Sequence, residues 1–126
     1  MDILMDTHVV WWYFNDDKNL SKSSAEIIDS PKNKKHISIA SLWEVSIKLS
    51  INKLFFNGGI DAFIDAVYAN DFALLEITPE HIKAVSDLPF IHRDPFDRML
   101  VAQAIGEGMH IMTADANILK YDISTI

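Results

Sequence analysis

The sequence contains no cysteine. That excludes disulfides, thiolate metal sites and cysteine nucleophiles, and it fits a reducing cytoplasm. Basic residues are scarce: 11 Lys and Arg stand against 18 Asp and Glu, for a formal net charge of −7. A chain so acidic does not coat nucleic acid through bulk electrostatics, although an enzyme that touches a few nucleotides is compatible with it. Long apolar runs are missing as well, and none approaches the roughly 20 residues of a membrane span. The opening "MDILMDTH" has acid where a secretory leader carries basic residues, and its apolar stretch is too short for one. No repeat, low-complexity tract or linker divides the chain. What remains is 126 residues, 49% apolar and 23% charged, the profile of one globular domain with a single real core. The expectation is a cytoplasmic protein whose one domain spans residues 1–126.

Short apolar segments alternate with helical ones. "ILM" (3–5) reads as a buried strand ending at Asp6, "HISI" (36–39) as a second, "FALLEI" (72–77) as a third and "HIMT" (110–113) as a fourth. Between them "VVWWYF" (9–14) is read as a short helix, and "SKSSAEIIDS" (21–30) has Ser and Glu at helix-start spacing. "SLWEVSIKLS" (41–50) is helically periodic, and "IDAFIDAVYAN" (60–70) is amphipathic after the break at "NGG". Thr78-Pro79 and Asp94-Pro95 each open a helix with a capping residue and a proline at the first helical position. Gly106 or Gly108 ends the second of these, and a helical turn is expected near "ANIL". The pattern predicts an α/β fold, a short and mostly parallel sheet with helices on both faces. In that architecture the site lies at the carboxyl ends of the strands. Asp6 and Asp115 fall there, and Glu44 and Asp97, expected in the opening turns of their helices, can join them.

Each acid also has a plain structural role open to it. Asp94, before a proline, is read as a helix cap first and a metal ligand second. Glu44 follows Ser41 at capping-box spacing and precedes Lys48 by four residues, as in a surface ion pair. Asp6 reads equally as a turn residue, and Asp115 as a cap for the turn after it. Asp97 fits less easily. The helix dipole favours an acid at the third helical position by ~0.3–1 kcal/mol, but at 100° per residue Asp97 projects between Val101 and Ala104, on a stripe shared with Leu100. An unpaired carboxylate in apolar company costs several kcal/mol or gives up its charge; a bound divalent cation resolves the conflict. Carboxylates gathered at one edge repel one another unless a metal neutralises them, and oxygen-only ligands select Mg²⁺ or Mn²⁺ over zinc. The five histidines show no tight ligand spacing and read mostly as strand-end or surface residues. Of Trp11, Trp12 and Trp43, at least two are expected in the core, leaving one to stack on a base. Arg93 and Arg98 flank Asp97 as candidate phosphate contacts.

"LMDTHVVWW", "SIASLWEVSIK", "LPFIHRDPFDRMLVAQA" and "IMTADANI" resemble, in order and spacing, the motifs of PIN-domain proteins, above all the VapC-type toxins of bacterial toxin–antitoxin pairs. The resemblance runs the length of the chain, and the "HRDPFDRMLVAQA" block resembles one branch of those toxins. It implies a PIN-like three-layer fold and a Mg²⁺- or Mn²⁺-dependent endoribonuclease. It also implies a homodimer, and a cognate antitoxin that inserts a segment into the active site. The family's site acids carry over onto Asp6, Glu44, Asp97 and Asp115, with Asp6 and Asp97 holding the principal metal, Asp115 supporting it or a second ion, and Glu44 ligating through water or orienting the attacking water. Arg98 and Thr7 are the expected substrate contacts, with Thr7 and Thr113 also candidates for supporting hydroxyls. The Gly-Lys-Leu usual after the second motif appears here as "NKL" (52–54), a departure that touches a loop and no acid.

Other readings differ at defined positions. A PIN-like interaction or RNA-binding module with a degenerate site would keep the fold and lack chemistry, yet all four acids are present. A haloacid-dehalogenase-like phosphatase wants a second aspartate two residues after the first, where this chain has His8. A phospho-receiver domain wants a lysine directly after its last strand, and Lys120 comes too late.

Overall fold

The strand β1 (Asp2–Met5) sends Ile3 and Met5 to one face of the sheet and Leu4 to the other, as the two-residue period of a strand requires, and all three are fully buried. A strand buried on both faces must be sandwiched by helices. The computed structural model describes residues 1–126 and shows that arrangement. With β2 (Lys34–Ser38), β3 (Ala73–Leu75) and β4 (His110–Met112), β1 forms a four-stranded sheet in the order β3-β2-β1-β4, parallel throughout. On one face Val9 and Val10 of α1 (Thr7–Phe14), Ile28 of α2 (Lys22–Asp29), Val45 of α3 (Ile39–Ser50) and Phe63 and Val67 of α4 (Gly59–Ala69) join Ile3, Met5, Ile37 and Met112. On the other, Leu100, Val101 and Ala104 of α6 (Pro95–Glu107) pack with Leu4 and Ile111, and α5 (Pro79–Asp87) lies against α6.

The helix starts follow the capping logic of the sequence at Ser21, Thr78 and Asp94, whose side chains accept from backbone N–H groups of α2, α5 and α6. α6 ends at Gly108 in the left-handed region, φ 65°, which glycine adopts without steric cost. Two boundaries differ from expectation. β3 is three residues rather than six. The strand expected over 36–39 ends at Ser38, because Ser38 turns extended and its hydroxyl accepts from Ala40 N, starting α3 two residues early. That moves Glu44 from the opening turn of its helix into the second. No helix is long and apolar enough to cross a membrane.

The strand order also locates the crevice. From β1 the chain moves outward through β2 to β3, then returns to place β4 on the opposite side of β1. Parallel sheets bind ligands where the winding reverses, at the carboxyl ends of the two strands flanking the reversal. Here those are β1 and β4, and the residues after them are Asp6 and the segment 113–115.

Candidate active site

Asp6 follows β1 and caps α1. Its Oδ1 accepts from the N–H groups of His8 at 2.7 Å and Val9 at 3.2 Å, while its Oδ2 accepts from the Thr113 hydroxyl at 2.6 Å. The carboxylate is thus buried yet fully provided with donors, and it ties the end of β1 to the end of β4. Asp115 is arranged similarly. Its Oδ1 accepts from the N–H groups of Asn117 and Ile118, and its Oδ2 from His92 Nε2 at 3.1 Å. Burial works against the charge on Asp115, but these hydrogen bonds outweigh it and hold the carboxyl below the usual range.

Glu44 is provided for on one side only. Its Oε2 accepts from Lys48 Nζ at 2.7 Å, the expected i, i+4 pair, but the carboxylate is buried rather than on the surface. Its Oε1 is buried without a hydrogen-bond partner. The capping box expected from Ser41 does not form, since Ser41 lies inside α3 and its Oγ accepts from the Thr7 hydroxyl at 2.8 Å.

Asp97 is the least accommodated acid. At the third position of α6 it is buried among Leu100, Val101 and Ala104, as its phase predicts. Burial, then the charges of Asp94, Asp6 and Glu44, push its carboxyl up to about 7, with His92 acting the other way. The fold therefore brings Asp6, Glu44 and Asp97 within each other's field. Asp115 reaches the group through His92, whose Nε2 lies 3.1 Å from both Asp97 Oδ2 and Asp115 Oδ2. Asp94 caps α6, accepting from Phe96 N and Asp97 N on one oxygen. A depression of about 190 Å³, lined by Asp6, His8, Trp12, Ala114 and Asp115, opens beside the acids.

The residues fit a hard divalent cation. An unpartnered buried carboxylate oxygen on Glu44 and a neighbouring carboxyl driven towards neutrality are what a cation among these acids would relieve. Asp6 and Asp97 would hold it, with Glu44 and Asp115 around it.

Two expected substrate contacts are otherwise engaged. Arg98 is buried, and its guanidinium donates to the carbonyls of Pro89 and Val85 and to the Tyr121 hydroxyl, with the Phe90 ring 5.0 Å away. A phosphate contact would require giving up those bonds, so Arg98 holds the segment before α6 instead. Thr7, also buried, donates to Ser41 and joins α1 to α3. Arg93 is exposed. Trp11 and Trp12 pack against the core, whereas Trp43 is 60% exposed and meets the Phe96 ring edge-on at 5.2 Å. His92 is the site residue that sequence reasoning missed. It lies five residues before Asp97 with no ligand spacing to mark it, and its only signal is membership of the "HRDPFD" block.

The PIN domain family model matches residues 3–124, and the chain belongs to that family, whose members are typically metal-dependent nucleases. Among solved structures it resembles VapBC2 from Rickettsia felis bound to a DNA fragment from their promoter, with TM-score 0.76 and 14% identity over 100% of this chain and 98% of that one. It also resembles a toxin–antitoxin complex from Klebsiella pneumoniae, with TM-score 0.66 and 13% identity over 98% and 95%. The PIN domain endonuclease Utp24 aligns with TM-score 0.54 and 14% identity over 94% and 74%. At such identities the likeness is one of fold. No curated protein sequence matches the chain.

Proposed function

We propose that this protein is a Mg²⁺- or Mn²⁺-dependent endoribonuclease and the toxin of a toxin–antitoxin pair. One observation carries the reading: Asp97, buried in the field of Asp6 and Glu44, is pushed up to about 7 beside a Glu44 oxygen that has no partner. Four acids serving only as caps and ion pairs would not leave that conflict at the switch point of the sheet. In this reading Asp6 and Asp97 would be the principal metal ligands, Asp115 would support that metal or a second one, and Glu44 would ligate through water or orient the attacking water. A bound divalent cation lowers the pKa of that water and stabilises charge on the phosphate and the leaving oxygen.

The chain's own groups prepare the site. Thr113 and two backbone N–H groups fix both oxygens of Asp6. Lys48 holds one oxygen of Glu44 and leaves the other buried without a partner. The Thr7–Ser41 bond keeps α1, which Asp6 caps, in register with α3, which carries Glu44. Exposed Arg93 and the ring of Trp43 are available to a single-stranded RNA, a phosphate contact and a stacking surface respectively. The likeness to a solved toxin–antitoxin complex supports an antitoxin partner. The apolar side chains of Ile39 and Ile47 on α3 and of Ile51 at its C-cap, exposed in line, support a homodimer.

Single-stranded RNA incubated with the protein and Mg²⁺ or Mn²⁺ should be cut internally, and EDTA should stop the reaction. Undiminished cleavage in EDTA, or no cleavage with either metal, rejects the proposal. Growth arrest on expression, relieved by co-expressing the small DNA-binding protein of an adjacent gene, tests the biological role.

A further inference from the structure

Of the charged or titratable neighbours of Asp97, Asp94 caps α6 and Asp6 and Glu44 act in the reaction above, which leaves His92 without a task. Its position is over-determined. Its backbone N–H donates to the Tyr121 hydroxyl at 2.8 Å, that hydroxyl donates to Pro89 O at 3.1 Å, and Arg98 donates to Pro89 O and to Val85 O. Tyr121 and Arg98 are both buried. The segment 88–94 is therefore clamped from both sides, and the group it presents to the acids is the His92 imidazole.

The ring's two nitrogens meet opposite kinds of partner. Nδ1 faces the backbone N–H of Asp94 at 3.1 Å, which can only donate, so Nδ1 offers its lone pair. A ring whose Nδ1 accepts carries its proton on Nε2. Nε2 in turn lies 3.1 Å from Asp115 Oδ2, with hydrogen-bond geometry, and 3.1 Å from Asp97 Oδ2. The three side chains together have the spacing of a mixed nitrogen and oxygen metal site, with ligand atoms within 4.8 Å of one another. The hydrogen-bonding pattern decides against that use. A nitrogen that carries a proton has no lone pair to give a cation, and moving the proton to Nδ1 would set two N–H groups against each other.

We propose that His92 is a positioning residue, a hydrogen-bond donor locked as the Nε2–H tautomer by the cap of α6. It holds the Oδ2 atoms of Asp115 and Asp97 and turns Asp97 Oδ1 towards the cation. The metal's ligands on this chain then remain oxygens alone. Arg98 and Tyr121 act one step further out, by fixing the segment that delivers the ring. The inference rests on the metal-site reading above in its second half, whereas the tautomer stands without it.

The test has two arms. ¹⁵N NMR of the imidazole in the metal-free protein should show a protonated Nε2 and a bare Nδ1; an Nδ1–H tautomer overturns the proposal whether or not metal binds. In the second arm Mn²⁺ affinity and Mn²⁺ pulsed EPR are compared for wild type, His92→Ala and His92→Gln, with circular dichroism to establish folding. The Gln side-chain N–H can occupy the place of Nε2–H. The wild type should show no directly bound nitrogen, His92→Ala should bind Mn²⁺ some 10- to 100-fold more weakly, as loss of a ligand-orienting hydrogen bond does, and His92→Gln should recover to within about threefold of wild type. A ¹⁴N coupling of a bound imidazole overturns the proposal, as does a Gln variant no better than Ala. A wild type that binds no Mn²⁺ rejects the metal-site reading and the orienting role together, leaving the tautomer to the NMR arm.

Discussion

Helices α1 and α6 begin at the same edge of the sheet, and each begins with an aspartate cap, yet they use their carboxylates differently. At α1 one residue does both tasks: Asp6 gives Oδ1 to two N–H groups of its helix and Oδ2 to Thr113 across the site. At α6 the tasks are divided. Asp94 gives one oxygen to two N–H groups, and Asp97, one turn in, faces the other acids with no backbone N–H group to satisfy it, only the His92 ring beside its Oδ2. Capping and site chemistry are thus not exclusive, because a carboxylate has two oxygens. The strain of gathering acids falls mainly on Asp97, which caps nothing.

The largest effect should come from removing that residue's charge. Asp97→Asn should lower RNA cleavage by more than about a hundredfold, beyond the 10- to 100-fold of a group acting only behind a ligand, and abolish the metal-induced rise in Tm. Its metal-free form should be more stable than wild type at pH 8, by roughly 5 °C in Tm, the shift that about 1 kcal/mol produces in a domain this small. The sign follows from the folded pKa of about 7 against 3.8 for an ordinary aspartate: the penalty grows as pH rises between those values and stays in full above them. Full cleavage by the variant would remove Asp97 from the site.

Asp6 should separate where Asp97 does not. Asp6→Asn retains a carbonyl oxygen for the N–H groups of His8 and Val9, and Asn caps as well as Asp, so stability should hold within about 1 kcal/mol while activity is lost. Asp6→Ala should lose activity and a further ~0.5–2 kcal/mol with the cap. Urea denaturation of both, beside the cleavage assay, checks the pair. Equal stability of the two variants would mean that Asp6 is no working cap and that the comparison with α6 is wrong.

Much of this was legible in the sequence, for reasons particular to each residue. The parallel sheet followed from four short apolar runs separated by capped helices, and the phase of Asp97 against Leu100, Val101 and Ala104 put it inside. The cap reading of Asp115 was right as far as it went, whereas Asp6, read as a turn residue, turned out to cap α1; in neither case does a local window reveal the second oxygen. Glu44 was placed in the wrong turn because Ser38 and Ser41 both suit a helix start. Only the strand pairing of residues 34–38 with β1 and β3 shows that Ser38 is where the extended chain ends. Arg98 looked like a phosphate ligand because its partners are backbone carbonyls at 85 and 89 and a tyrosine 23 residues away. His92 was invisible for the same reason: its partner Asp115 is 23 residues on, on the other side of β4.

A smaller effect concerns pH. Metal and proton compete for Asp97, so in calorimetric titrations Mn²⁺ affinity should weaken as pH falls below about 7, approaching tenfold per unit. With saturating Mn²⁺ the loss of stability between pH 4 and 7 expected of the metal-free protein should be reduced or reversed, since the cation stabilises the ionised form. Affinity that is flat from pH 5.5 to 8 would mean that Asp97 is ionised throughout and not a seat of repulsion.

The smallest effect is expected at Asp94, and it tests the division of tasks most directly. Asp94→Ser keeps a capping oxygen for Phe96 N and Asp97 N, and it keeps the backbone N–H on which the His92 ring rests. It loses a negative charge at a helix N-terminus, which costs about 0.3–1 kcal/mol. Against that, Asp94 is the first charge after burial in driving Asp97 upward, so its removal relieves Asp97 as well. The two terms oppose each other, and the net change in stability should stay within about 1 kcal/mol. Cleavage should survive, and the pH at which Mn²⁺ affinity begins to fall should move down, because Asp97 gives up its proton more easily beside a neutral cap. Asp97→Ser should do the opposite, holding or gaining stability while losing metal and activity. An inactive Asp94→Ser at full stability, with Asp97→Ser still cutting RNA, would exchange the roles of the two aspartates.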